Sequence, residues 1–181
     1  MTRRAGRIGW FIALATAWAL LLPSASRAED ADIRPPFGLS WGETPSRLES
    51  LLTNAKATVS DRRMVGGREC WTVEGLVQPN LKRTQFYFAG GGLTEVELQY
   101  QQAVWTIAQY EAFMNQVRTR IEQRYGPGKL IARSKAPESQ VMQTVVGYQW
   151  TQPETALQLF YYAAEAGSRS WRTVSLHYKK R

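Results

Sequence analysis

The chain has 181 residues, with 23 Lys and Arg against 15 Asp and Glu, one His and one Cys, and a formal net charge of +8. A single cysteine excludes an intramolecular disulfide, and one histidine excludes a zinc site built from several His or Cys ligands. Core packing must therefore hold the fold unaided.

Arg3, Arg4 and Arg7 precede an uncharged run over 8–22 that Pro23 stops, and Ser26-Arg27-Ala28 supplies small residues at the two positions a signal peptidase reads. The run is shorter than the roughly 20 residues a helix needs to cross a bilayer, so residues 1–28 are expected to be a removable secretory signal. No cysteine follows the cut site, which rules out lipid attachment there. Cleavage removes four of the 23 basic residues and no acid, leaving 19 against 15, a charge of about +4. The remaining excess is dispersed apart from Lys179, Lys180 and Arg181, so nucleic acid is not an expected partner. The mature product should be periplasmic or secreted and should have no membrane span. Residues 29–181 suit a single domain that buries about two thirds of its unfolded surface.

In chain order, residues 36–42 read as a short strand running into a turn. Thr44 then caps a helix with Pro45 in its first turn, and Leu48, Leu51 and Leu52 share one face. Strands are expected over 57–61 and 69–77 around Gly66-Gly67, then over 84–88 and 93–100 around Gly90, Gly91 and Gly92. Thr84, Phe86 and Phe88 alternate with Arg83, Gln85 and Tyr87, and Val96, Leu98 and Tyr100 alternate with Glu95, Glu97 and Gln99. Such period-2 patterning is that of a sheet with one buried face.

Thr106 and Gln109 form a capping box at the head of a helix over 107–125, which Gly126-Pro127-Gly128 closes. Its buried stripe is expected to be Ile107, Tyr110, Met114, Val117 and Ile121. A strand over 129–133, a polar stretch over 134–140 and a strand reaching Val146, Tyr148 and Trp150 follow. The last hairpin has strands over 157–162 and near 174–178, with an Ala- and Ser-rich turn over 163–170. Val174, Leu176 and Tyr178 repeat the spacing of Val96, Leu98 and Tyr100. The expected fold is α+β: one mainly antiparallel sheet built from two helix-plus-meander repeats, about 37–103 and 104–181, with both helices on one face.

The run Phe37-Gly38-Leu39-Ser40-Trp41-Gly42 with Thr44-Pro45, and Arg124-Tyr125-Gly126-Pro127 later, resembles small exported bacterial proteins of mostly unknown function. The duplicated helix-plus-meander is similar to the tandem units of β-lactamase-inhibitor proteins and to the single unit of the SmpA/OmlA outer-membrane assembly lipoproteins, although the lipidated cysteine of the latter is missing. The resemblance implies a helix-free sheet face that holds another protein. It carries no individual residue roles.

Catalytic groupings are scarce. Any Ser-His-Asp or Cys-His site must pass through His177, and Cys70 shares the expected polar face with it, so a Cys70/His177 envelope enzyme is one alternative. A small-ligand carrier with a pocket between helix and sheet is another. Gly90-Gly91-Gly92 joins two strands and lacks the Lys-Ser/Thr of a phosphate loop. Glu95 and Glu97 could pair as acid and base or keep a sheet face hydrated. The leading expectation is non-catalytic binding of a protein or peptide partner in the cell envelope, without cofactor or metal. Its residues would be Tyr87, Phe160 and Tyr162, with Arg83, Glu95, Glu97 and His177 around them, a composition like that of interface anchors.

Overall fold

The computed structural model describes residues 32–181; the leader expected over 1–28 lies outside the described residues. Helix α1 spans Pro45–Asn54, followed by strands β1 Thr58–Val65, β2 Arg68–Glu74, β3 Leu81–Ala89 and β4 Gly92–Tyr100. Helix α2 spans Ile107–Tyr125 and precedes β5 Lys129–Glu138, β6 Val141–Thr151, β7 Thr155–Ala166 and β8 Arg169–Lys180. The class is α+β, with one eight-stranded sheet in the order β1-β2-β3-β4-β8-β7-β6-β5, antiparallel at every pairing. Each helix is followed by four strands, and the two sets of strands join where β4 pairs β8. Among the described residues, no helix is long and apolar enough to cross a membrane.

The local chemistry explains the boundaries. Thr44 accepts from the Arg47 N–H at the head of α1, and Thr106 and Gln109 exchange side-chain and backbone hydrogen bonds at the head of α2. These contacts satisfy donors that a helix start otherwise leaves without partners. Between β3 and β4 the loop is Gly90-Gly91, with φ of 58° and 78°. A two-residue hairpin of this kind needs positive φ at both positions, which only glycine adopts freely.

The strands of the second half run further than expected. β5 continues through 134–138, and β7 and β8 extend to Ala166 and Arg169, so residues 163–166 and 169–170 are strand instead of turn. Alanine, serine and lysine have weak strand preference, but full cross-strand pairing such as Ala163 with Arg172 and Glu165 with Ser170 overrides it.

Along β4 and β8, Val96 faces Tyr178, Leu98 faces Leu176 and Tyr100 faces Val174. These side chains join Phe86, Trp71, Val73, Leu157, Leu159 and Tyr161 in one core with Leu48 and Leu52 of α1 and Tyr110, Met114 and Ile121 of α2. Phe113 of α2 lies 5.0 Å from the Tyr100 ring, and Tyr110 lies 6.4 Å from Tyr161. Arg118 fixes the middle of the helix by donating to the Tyr148 hydroxyl at 2.9 Å while its guanidinium stacks 4.6 Å above that ring.

The buried stripe of α2 differs from the expected one at its start. Ile107 is 47% exposed. Trp105, just ahead of the helix, packs on Tyr110 and Phe113 in its place. Val117 is only partly buried against the core.

A charge should therefore be tolerated at one end of this stripe and not at its centre. Ile107→Lys should change stability by less than about 0.5 kcal/mol. Met114→Lys, which buries an unpaired ammonium, should remove most of the cooperative transition in urea denaturation.

Candidate functional site

Alternation sets every second residue of the central strands on the side opposite the core. There Glu95 faces Lys179, Glu97 faces His177 and Gln99 faces Ser175 across β4 and β8. On the flanks, Tyr87 faces Glu95, Gln85 faces Glu97 and Arg83 faces Gln99 from β3, while Gln158 and Phe160 face His177 and Ser175 from β7. The seven residues singled out from the sequence thus share one face. The burial of three of them was not expected: Glu95, Glu97 and Tyr87 are only 5%, 8% and 8% exposed. The carboxylates do not hydrate the sheet, and Tyr87 belongs to the floor of the site instead of its contact surface.

A connected set of hydrogen bonds makes this burial tolerable. Glu95 Oε2 accepts from Arg68 Nη1 at 2.6 Å, its Oε1 lies 3.0 Å from His177 Nδ1, and Lys179 Nζ is 3.5 Å away. Glu97 Oε1 accepts from Gln99 Nε2 at 2.6 Å, and the Tyr87 hydroxyl lies 3.2 Å from its other oxygen. Arg83 Nε donates to Gln99 Oε1 at 2.7 Å, and Gln85 links Tyr87 to Thr72. Burial by itself would raise the Glu95 carboxyl. The hydrogen bonds from His177 and Arg68 and the charge of Lys179 outweigh it and hold the group at about 2. Burial, and then the Glu97 charge, push the Tyr87 phenol up, so it remains a neutral donor.

Above this floor lie the aromatic rings. Phe160 folds across Gly147, where any Cβ would come within 2.5 Å of the ring, and meets His177 edge-on at 5.6 Å. Gly147 is therefore the residue that lets Phe160 lie flat on the sheet. Tyr162 packs at 5.2 Å against Trp171, which is 39% exposed. Sequence reasoning missed Trp171 because 163–170 read as a turn. Its parity with Ser175 and His177 was the signal that would have placed it on this face. Arg68 and Lys179, the cations that neutralise Glu95, were missed because their partner is on another strand.

Two enzymatic arrangements can be weighed on this geometry. Cys70 and His177 do not form a dyad: β3 and β4 intervene between their strands, a separation of about 14 Å at ordinary strand spacing. Cys70 is fully buried, and burial raises its thiol pKa. By contrast, Ser175 Oγ lies 3.1 Å from His177 Nε2 while Nδ1 meets Glu95, the relative placement of a nucleophile, base and orienting acid. Acyl transfer also needs free donors for the oxyanion. Ser175 sits mid-strand, paired with Gln99 on one side and Phe160 on the other, and is only 7% exposed. The nearby Gln99 amide is engaged by Glu97. The trio is best read as a hydrogen-bond relay that fixes the ring of His177.

Among the described residues, no group of three or more His, Cys, Asp or Glu is placed to hold a metal ion. No protein-family model matches the chain, and comparisons with curated proteins and with solved structures find no match.

Two outcomes follow from the buried floor. Because the folded Glu95 pKa is depressed, its contribution to stability is complete above the ordinary value of 4.5 and is lost as pH falls towards about 2. Glu95→Gln should flatten that acid limb and cost on the order of 3 kcal/mol at neutral pH, at about 1.4 kcal/mol per tenfold change in proton affinity. A pH series of urea transitions for both proteins checks it. Separately, iodoacetamide at neutral pH should leave Cys70 unlabelled until denaturant is added, as read by intact mass.

Proposed function

We propose that the protein is an exported, non-catalytic binding protein that engages a protein or peptide partner through the sheet face bearing Glu95, Glu97 and His177. On this reading neither helix covers that face. In support, the buried residues of α1 and α2 share a core with Val96 and Leu98, whose side chains alternate with the two glutamates.

The observation that carries the reading is an aromatic group, with Phe160 and Tyr162 partly buried and Trp171 exposed, beside a polar floor already fixed by its own hydrogen bonds. Rings held in place before contact lose little conformational freedom on binding, and aromatic and arginine side chains dominate interface energetics. Phe160, Tyr162 and Trp171 would make the contact, with Arg83 at the margin. Glu95, Glu97, His177 and Tyr87 would act beneath them by setting their positions and the local charge. The similarity of the helix-plus-meander pattern to β-lactamase-inhibitor and SmpA/OmlA units favours a protein partner. The apolar uncharged leader over 8–22 favours the periplasm or exterior as the place of encounter.

A photo-crosslinking amino acid at Tyr162 in the producing cells should yield a discrete adduct that Phe160→Ala with Trp171→Ala removes, while the double variant keeps its melting temperature within a few degrees. The same probe at Ile107, exposed on α2, should yield none. Equal adducts from both positions would dismiss the sheet face as the docking surface.

A further inference from the structure

On the core side of the sheet, α1 leaves a hollow of about 150 Å³ against β3. Its floor is Leu48, Leu52 and Phe86, all nearly fully buried, with Leu51 on the wall. Phe37 and Ala55 stand at its rim. No charged side chain lines it. An enclosed apolar cavity of this size holds a molecule such as benzene or xenon; this hollow is open on the side of Phe37 and Ala55, which gives such a group a way in. It is too small for a whole drug-sized ligand, which limits the occupant to about six carbons.

A second observation concerns the rim. Phe37 has φ of 63° and is followed by Gly38 at 72°, in a tight turn closed by the Leu39 N–H on the Pro36 carbonyl at 3.4 Å. Both central residues of the turn are left-handed, a conformation glycine adopts freely and a bulky aromatic rarely does. Core packing does not explain the choice, since the Phe37 ring lines the hollow and yet remains 41% exposed. Strained residues persist where something else fixes them, and they concentrate at ligand clamps. A ring in an unfavourable backbone state, half in solvent and half over an apolar hollow, fits a cover.

We propose that this hollow is a binding site for a small hydrocarbon group of about six carbons and that Phe37 is its lid. A free aromatic ring and the end of an acyl chain offer the same chemistry. Either enters past Phe37 and Ala55, contacts the leucines of α1 and Phe86, and displaces no ordered charge. The site lies on the other side of the sheet from the aromatic face, so it stands or falls independently of partner docking.

The test is a methyl-labelled NMR titration of the purified protein with benzene, and separately with decanoate. At least one probe should produce saturable shifts confined to Leu48, Leu51 and Leu52. Saturation by benzene alone identifies a ring site, and saturation by decanoate with competition between the two identifies an acyl-end site. Ala55→Phe, at an exposed position whose ring would fill the hollow, should weaken either probe at least tenfold. Phe37→Asn, which suits the left-handed turn, should keep or raise the melting temperature while speeding probe release several-fold. Shifts that grow linearly without saturation, that spread over methyls throughout the core, or that survive both substitutions unchanged would overturn the proposal.

Discussion

The pairing of β4 with β8 is the constraint on which the rest of the molecule depends. It joins the four strands after α1 to the four strands after α2, and its register decides what each side of the sheet carries. With Leu98 opposite Leu176, valine, leucine and tyrosine collect on the core side, and Glu95, Glu97, Gln99, Ser175, His177 and Lys179 collect on the other. A slip of one residue would send the glutamates into the core and the leucines out. Few single contacts in the chain specify as much.

What that register produces on the polar side is unusual in its burial. Two carboxylates lie within a few residues of each other at less than a tenth exposure, a situation that costs several kcal/mol unless donors surround them. The donors come from four strands: Arg68 on β2, Tyr87 on β3, Gln99 on β4, and His177 with Lys179 on β8. The network therefore ties the sheet together laterally, as the core does on its other side. It also holds His177 still beneath the edge of Phe160. A floor satisfied in this way gives the rings above it a fixed base. That base is what the proposed binding role draws on.

Much of this was legible in the sequence. The capping box and Gly126-Pro127-Gly128 give the limits of α2, and period-2 alternation assigns the faces of β3, β4, β7 and β8 correctly, down to the shared side of Tyr87, Phe160 and Tyr162. Alternation reports which side a residue is on and not how deep it lies. Depth comes largely from neighbours on other strands, so the burial of Glu95, Glu97 and Tyr87 could not be read. The same limit hid Trp171, because the strand character of 163–166 and 169–170 comes from partners across the hairpin and not from local preference. The exposure of Ile107 depends on Trp105 occupying its place, another contact that helical spacing does not encode.

Amide hydrogen exchange on β4 and β8 tests the central register most directly. Amides over 95–99 and 174–178 that are bonded across this pair should exchange only through global unfolding and should be the slowest in the protein, well below those of the edge strands β1 and β5. If they exchange as fast as the edge-strand amides, the two halves are not joined through this pair, and the polar floor assembled across it does not exist in solution.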